Sequence, residues 1–230
     1  MTRTLVLLAV AVFAVFEPAF AGDSQCFGTV SNGRIEGSVR LPTKGPNFVA
    51  YSEWAALAGR TYVHSKVAEI LVASYAALQK ETPSGSYVYG ETGSPSGGKF
   101  PPHRTHQNGL SVDFFVPVRD EEGRSVPIPT DASLRYGYDI EFDSNARYRG
   151  YGIDFPAMGE HLYQLHLAAK ARGADIALVI VDPQYLPKLF ATTRGAYLRQ
   201  HLPFMRRKPW IRHDEHYHVD FAIQCKSNPG

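Results

Sequence analysis

Residues 103–118, HRTHQNGLSVDFFVPV, join a histidine-rich loop to an apolar segment. Apolar and polar residues alternate at the start of 110–118, which predicts a β-strand. His106 precedes Asp113 by seven residues, and Gly109 between them permits a turn that would bring the two side chains together. Neutral imidazole and carboxylate are both good zinc ligands. The pair is therefore a candidate metal site, with ordinary hydrogen bonds of a loop histidine and a strand aspartate as the alternative.

A second histidine group, HDEHYHVDFAIQ, occupies residues 213–224. Alternation over 217–224 predicts a closing strand, and residues two apart on a strand share a face. His216 and His218 would therefore point the same way, so that one can bind a metal while the other stands beside a metal-activated water. Surface histidines are the alternative. The chain has no H-E-x-x-H motif, which excludes the helical zinc-protease arrangement.

The rest of the chain predicts a mixture of helices and strands. Apolar residues at helical spacing predict helices over 65–79 and 155–172, and the apolar run 176–181 predicts a buried central strand. The shorter predicted segments are a strand over 86–91, helices over 183–190 and 193–202, and an irregular surface segment over 22–50. Because helices and strands do not alternate regularly, the predicted fold class is α+β.

Three further histidines are predicted to lie outside the site. His64 is at the start of the first long helix and is interpreted as structural. His161 and His166 are five residues apart, so they do not share a helix face well and are predicted to be solvated. A segment rich in tyrosine and arginine, 135–151, is predicted to be a packed loop, with a glycan-facing surface as the alternative.

The ends of the chain indicate export. Residues 1–21 contain a short positive start, the apolar run LVLLAVAVFAVF and an A-x-A sequence, which together predict a signal peptide. The run is shorter than the ~20 residues that a spanning helix needs, so no stable membrane insertion is expected after cleavage. Residues 22–230 are predicted to form a single domain. Cys26 and Cys225 are expected to pair in an oxidising compartment, with two free buried thiols as the alternative.

Composition restricts the possible partners. Hydrophobic residues make up 44% of the 230 residues and charged residues 20%, which is typical of a globular protein. The net charge of +2 is too small to indicate binding to nucleic acid, but it is compatible with an anionic cell-wall polymer. The oligomeric state is left open.

Seven motifs, taken together and in order, make the sequence similar to a known family. They are SNGRIEGS (31–38), LP (41–42), TYVHSKV (61–67), GETGSPSGGKF (90–100), HRTHQNGLSVDFF (103–115), IVDP (180–183) and PWIRHDEHYHVDF (209–221). The chain resembles the penicillin-insensitive murein endopeptidases. These belong to a broader group that includes lysostaphin-type enzymes, D-Ala-D-Ala metallopeptidases and hedgehog-like domains.

The resemblance implies a small antiparallel β-sheet that bears a zinc site and is flanked by helices and long loops. It implies roles for six residues: His106, Asp113 and His218 as zinc ligands, His103 as a fourth ligand or close neighbour, His216 as the catalytic base, and His213 as a further active-site histidine. The implied reaction, in the periplasm, is hydrolysis of peptidoglycan stem-peptide cross-links of the D-alanyl–diaminopimelate type. His213 or His103 would stabilise the oxyanion.

The chain departs from the family pattern in three places. The family continues with Val-Arg after its H-x-H motif, whereas Asp220 follows Val219 here, a change that could alter specificity. Neither cysteine falls on a clear family position. Ligands for a second metal, which some members hold, cannot be placed in the 119–150 insertion.

Glu215 leaves alternative functions open. It lies three residues before His218, where related carboxypeptidases have a catalytic glutamate. Strand alternation predicts that Glu215 faces away from His218, which favours His216 as the base. One alternative function is a zinc D,D- or L,D-carboxypeptidase that trims stem peptides. Another is a non-catalytic, zinc-stabilised module that binds the cell wall.

Overall fold

The computed structural model describes residues 23–209 and 211–228, so the predicted signal peptide lies outside the described residues. The helices are α1 (Glu53–Leu57), α2 (Ser65–Glu81), α3 (Phe155–Ala171), α4 (Leu186–Phe190) and α5 (Gly195–His201), with short 3-10 segments at Ala132–Gly137 and Pro183–Tyr185. The strands are β1 (Gln25–Thr29), β2 (Asn32–Glu36), β3 (Val39–Arg40), β4 (Phe48–Ala50), β5 (Tyr62–Val63), β6 (Tyr87–Tyr89), β7 (Ser111–Phe115), β8 (Val118–Arg119), β9 (Ser125–Val126), β10 (Arg147–Tyr148), β11 (Tyr151–Ile153), β12 (Asp175–Ile180) and β13 (His216–Ala222). The mixture confirms the α+β fold class. Across the described ranges, no helix has both the length and the apolarity needed to cross a membrane.

A five-stranded sheet carries the candidate site, with the strand order β12-β13-β7-β6-β4. Neighbouring strands are antiparallel, except that β4 and β6 are parallel. The register between β7 and β13 is described by three pairs that share one face: Phe115 with His216, Asp113 with His218, and Ser111 with Asp220. The two strands predicted to bear the site are therefore direct neighbours.

The opposite face of β7 and β13 packs into the hydrophobic core. Phe114 and Tyr217 stack there with ring centroids 5.5 Å apart, and both are fully buried. The predicted inward positions of the two long helices are buried as well: Val67, Ile70, Leu71, Ser74 and Leu78 in α2, and Met158, Leu162, Leu165 and Ala169 in α3. Because side chains alternate along a strand, burial of Tyr217 on the core face places His216 and His218 on the other face.

Two predictions about the β-strands are wrong. The apolar run 176–181 forms β12, but β12 is an edge strand rather than a central one. Backbone hydrogen bonds join its Val179 to Pro203 and Met205, which cover this edge and explain its apolar character. Residues 22–50, predicted to be irregular, contain β1 to β4. These strands are two to five residues long, which is too short for a periodic pattern to show in the sequence.

The prediction of solvated histidines at His161 and His166 is also wrong, because both side chains are buried. Nδ1 of His161 bonds to the hydroxyl of Tyr217, and Nδ1 of His166 lies 2.8 Å from the hydroxyl of Tyr197. α3 is buried on more than one side. His161 and His166 therefore point in different directions from the helix and are nevertheless both buried. His64 is structural as predicted, since its Nδ1 accepts a hydrogen bond from the backbone N–H of Lys66 at the start of α2.

A disulfide joins Cys26 in β1 to Cys225 just beyond β13, which confirms the predicted pairing. Backbone hydrogen bonds from Lys226 to Cys26 and from Gly28 to Lys226 lie beside it. The disulfide therefore joins the first strand of the described chain to the segment that follows β13, the strand that carries His216, His218 and Asp220.

Replacing both cysteines by serine (Cys26→Ser with Cys225→Ser) should lower the free energy of unfolding by about 5 kcal/mol, because the bridge restricts the unfolded chain over most of its length. The two partners are 199 residues apart in sequence. Urea denaturation of the oxidised wild type and of the double variant measures the difference. A reducing agent should destabilise the wild type alone, and equal stability of the two oxidised proteins would contradict the prediction.

Candidate active site

Asp113 lies at the centre of the candidate site, with a fully buried carboxylate. Nδ1 of His218 is 2.9 Å from its Oδ1, Nε2 of His106 is 3.3 Å from the same oxygen, and Nδ1 of His103 is 3.8 Å from its Oδ2. Although burial acts in the opposite direction, His106 and His216 hold the pKa of Asp113 well below its usual value. Asp113, His103, His106 and His218 are called the Asp113 cluster below.

The loop between β6 and β7 brings His103 and His106 to this carboxylate. His106 is buried and has a positive φ of 66°. Gly109 has a φ of 77°, and a Cβ at this position would come within 2.8 Å of the backbone nitrogen of His64. The turn inferred at Gly109 from the sequence is therefore present and requires glycine. Ligand atoms of His103, His106 and Asp113 all lie within 4.8 Å of one another, a spacing at which a metal ion could be held.

His218 lies between two carboxylates. Its Nδ1 faces Asp113, and its Nε2 lies 2.8 Å from Oδ1 of Asp220. Burial opposes protonation of the ring, but Asp220 and then Asp113 raise the pKa of His218 to about 10. Nδ1 is thus the nitrogen of His218 that lies on the side of the other cluster residues.

His106 provides a test of whether a metal fits the Asp113 cluster. Its Nδ1 donates a hydrogen bond to the carbonyl of Thr92 at 3.1 Å, and burial lowers its pKa, so Nε2 of the neutral ring carries a lone pair. This Nε2 is buried and has no hydrogen-bond partner among the described residues. A lone pair that faces a carboxylate oxygen at 3.3 Å is unfavourable unless a cation lies between the two atoms. Imidazole and carboxylate donors in this arrangement fit a divalent metal.

His213 and His216 form part of a cleft beside the Asp113 cluster. Their ring centroids are 4.6 Å apart, and Nε2 of His216 lies 3.9 Å from Oδ2 of Asp113. The cleft has a volume of about 360 Å³, and its other lining residues include Tyr51, Glu91, Arg135, Tyr136, Tyr138 and Ile211. The structure therefore brings together all six residues that the sequence analysis named, although their individual roles remain predictions.

Each of the five imidazoles has one nitrogen bonded to an oxygen that lies outside the cluster. The pairs are His103 Nε2 with Glu91, His106 Nδ1 with the Thr92 carbonyl, His213 Nδ1 with the Ile211 carbonyl, His216 Nδ1 with Glu215, and His218 Nε2 with Asp220. In four of the rings the remaining nitrogen is directed to Asp113. Such outer hydrogen bonds fix the tautomer and the orientation of a histidine ligand.

Glu91 and Tyr138 contact the site residues in a way that the sequence analysis did not predict. The hydroxyl of Tyr138 donates to Oδ2 of Asp113 at 3.1 Å and accepts from the backbone N–H of Glu91 at 3.0 Å. Burial opposes ionisation of Glu91, but hydrogen bonds from Arg60 and His103 lower its pKa to about 2. The GETGSPSGGKF motif contained a signal for Glu91. Tyr138 belongs to the 135–151 segment that was predicted to be a packed loop, but the sequence does not indicate its contact with Asp113, 25 residues earlier.

Strand alternation predicted that Glu215 faces away from the site, but Glu215 does not follow this alternation. β13 begins at His216, so Glu215 precedes the regular strand. Its Oε1 lies 2.8 Å from Nδ1 of His216, and its side chain lines the cleft. Burial raises the pKa of Glu215 to about 8, and a cation in the Asp113 cluster would favour the carboxylate form again.

Comparison with known proteins gives a consistent family match. Residues 26–229 match the family model described as penicillin-insensitive murein endopeptidase. The chain is 25% identical over 213 residues to the penicillin-insensitive murein endopeptidase of Pectobacterium atrosepticum, an alignment that covers 90% of this chain and 67% of that protein. It is 24% identical over 216 residues to proteins of the same name from Escherichia coli O139:H28 and Shigella boydii serotype 18, covering 90% of this chain and 72% of each relative.

Removing the hydroxyl of Tyr138 (Tyr138→Phe) should lower the free energy of unfolding by about 1–3 kcal/mol, because it leaves the buried N–H of Glu91 without its acceptor. Urea denaturation in the presence of a chelator measures this effect on the protein alone. Tyr136→Phe is the matched control, since Tyr136 lines the same cleft but is 36% exposed, and it should change stability by less than about 0.5 kcal/mol. Equal effects of the two substitutions would refute the assigned role of the Tyr138 hydroxyl.

Proposed function

Because the chain belongs to the penicillin-insensitive murein endopeptidase family, we propose that it is a zinc metallo-endopeptidase that hydrolyses D-alanyl–diaminopimelate cross-links between peptidoglycan stem peptides. Family membership supports hydrolysis of peptidoglycan cross-links. The metal, the type of link and the residue roles are the proposal. The single observation that carries it is the lone pair of His106 Nε2, buried and directed at the Asp113 carboxylate.

The proposed zinc ligands are His106, Asp113 and His218, with His103 as a fourth ligand or close neighbour. Three protein ligands with one open position are typical of catalytic rather than structural zinc. Nitrogen donors favour zinc over magnesium, which prefers oxygen ligands. The Nε2 of His103 is held by Glu91 at 2.5 Å, so its Nδ1 is the nitrogen that would approach the metal.

When bound, zinc lowers the pKa of a coordinated water to about 7 and polarises the scissile carbonyl. His216 is the proposed general base. Its Nδ1 donates to Glu215, which leaves the lone pair of Nε2 on the side of Asp113. From this position His216 takes a proton from the attacking water and returns it to the leaving amine. Glu215 acts through His216 by holding the base in this tautomer.

His213 is proposed as a further active-site histidine, with its ring centroid 4.6 Å from that of His216. Its only N–H in the neutral form, at Nδ1, donates to the Ile211 carbonyl at 2.8 Å, and burial lowers its pKa to about 3. Burial therefore favours the neutral ring of His213, and the hydrogen bond to Ile211 fixes the orientation of that ring beside His216. The oxyanion role is proposed for His213 or His103, the two residues named from the sequence.

We place the proposed enzyme in the periplasm. The disulfide between Cys26 and Cys225 is of the kind that persists in oxidising compartments. The sequence features of residues 1–21 predict export, and the substrate lies outside the cytoplasmic membrane. The cleft is large enough for a short peptide segment. Arg135 lines it and forms an exposed ion pair with Asp139, from which its guanidinium could turn to the carboxylates of stem peptides.

Glu215 supports a second candidate, a carboxypeptidase that trims stem peptides. Its carboxylate lines the cleft beside His216 and could itself act as the base. An endopeptidase converts cross-linked dimers to monomers without loss of alanine, whereas a carboxypeptidase releases alanine and leaves the dimers intact. The products of digestion therefore separate the two candidates.

Purified protein that has been stripped of metal and then supplied with Zn²⁺ should convert muropeptide dimers of isolated sacculi to monomers, as measured by liquid chromatography and mass spectrometry. The stripped protein and the His106→Ala variant should be inactive, because the metal supplies the nucleophile. His166→Gln is the matched control and should retain activity, because His166 is a buried histidine bonded to Tyr197 and Asp175, and none of these three residues lines the cleft. Alanine release without loss of dimers would indicate a carboxypeptidase, and wall binding without any product would indicate a non-catalytic module.

His216→Ala should lower kcat by about 100- to 10,000-fold while the zinc content stays at the wild-type level, because the variant loses the base but no proposed ligand. Glu215→Gln should lower kcat less, since the amide oxygen can still accept from Nδ1 of His216. Steady-state rates on a purified dimer, with zinc measured by atomic absorption, give both values. A larger loss in Glu215→Gln than in His216→Ala would transfer the role of base to Glu215.

A further inference from the structure

A buried chain of hydrogen bonds connects two histidines of the Asp113 cluster without passing through Asp113. The backbone N–H of His106 donates to Oγ of Ser111 at 3.3 Å, and Oγ of Ser111 donates to Oδ1 of Asp220 at 2.6 Å. The same Oδ1 lies 2.8 Å from Nε2 of His218. Ser111 is fully buried and Asp220 is 5% exposed. The proposed mechanism does not use either residue.

The sheet register explains this arrangement. Ser111 pairs with Asp220 two residues along from the pair formed by Asp113 and His218, so all four side chains lie on one face. A carboxylate in the interior is costly unless donors surround it. Ser111 and His218 supply two donors to the same oxygen, so Asp220 is held in one position behind the imidazole ring.

We propose that Asp220, held by Ser111, is a positioning residue that directs Nδ1 of His218 toward the metal and sets how tightly the Asp113 cluster binds it. The inference rests on the proposed function, because it assumes that the cluster holds zinc. A histidine ligand whose second nitrogen bonds to a carboxylate has its tautomer and ring orientation fixed, and removing such a carboxylate weakens metal binding. Here Nε2 of His218 is committed to Asp220, which leaves Nδ1 as the ligand atom.

Charge provides an independent argument. Asp113 is the only carboxylate among the four cluster residues, and Asp220 adds a second buried anion that contacts His218. A divalent cation in the protein interior is stabilised by each buried anion near it, and Asp220 adds one to those of Asp113 and Glu91. Asp220 therefore contributes to the affinity for the metal through its charge as well as through the orientation of His218.

The test is the affinity of the disulfide-bonded protein for Zn²⁺, measured by competition with a fluorescent chelator at a temperature where circular dichroism shows each variant folded. Asp220→Ala should bind Zn²⁺ about 10- to 100-fold more weakly than the wild type. Asp220→Asn should fall between them, because its amide oxygen still accepts from Nε2 but carries no charge. Asp154→Ala is the matched control: Asp154 is a buried aspartate that caps α3, and its loss should lower the melting temperature without changing the Zn²⁺ affinity.

The outcomes are distinguishable. Zn²⁺ affinity of Asp220→Ala within twofold of the wild type, with a lower melting temperature, would make Asp220 merely structural and overturn the inference alone. If Asp220→Ala does not fold, Asp220→Asn decides in its place, and an affinity within twofold of the wild type overturns the inference. Absence of Zn²⁺ binding by the wild type would overturn the proposed function, and the inference with it, before any variant is compared.

Discussion

The pairing of Asp113 with His218 across β7 and β13 is the constraint on which the site depends. An antiparallel register sets these two residues opposite each other, and the next pairs on the same face add His216 and Asp220. A slip of one residue would exchange the two faces of β13. The histidines would then enter the core, and Tyr217, which is fully buried, would enter the cleft. Packing of the core face therefore selects the register that assembles the site.

Buried imidazoles impose the second constraint, because each ring has two nitrogens and both must be satisfied. In each ring, one nitrogen is bonded to a carboxylate or a backbone carbonyl outside the Asp113 cluster. In His103, His106, His216 and His218, this bond determines which nitrogen is left to face Asp113. His106 is the clearest case, since the Thr92 carbonyl takes its Nδ1–H and Nε2 is left without a partner among the residues described. The oxygen atoms outside the cluster thus determine which ring nitrogen keeps its lone pair toward Asp113. The metal ion of the proposed function would satisfy the inner lone pairs and the Asp113 carboxylate together.

Much of this arrangement could be predicted from local sequence, and the part that could not depends on contacts between distant segments. Alternation and helical spacing identified the strands at 110–118 and 217–224 and the helices that became α2 and α3, because their patterns extend over enough residues to be read. The edge position of β12 could not be read, since an apolar run indicates burial but not the number of strand neighbours. The contact of Tyr138 with Asp113 could not be predicted for a similar reason, because the hydrogen bond spans 25 residues and Tyr138 belongs to a loop without periodicity.

Asp220 shows how a departure from a family pattern can be interpreted physically. From the sequence alone, an acidic residue in place of the expected arginine suggested an altered specificity. Strand alternation places position 220 on the same face as His218, two residues away, and beside the proposed metal ligands. An acidic side chain there accepts a hydrogen bond from the imidazole of His218, whereas an arginine has no acceptor to offer. Under the proposed function, the substitution therefore bears first on how the metal would be held, and any change in substrate preference would follow from that.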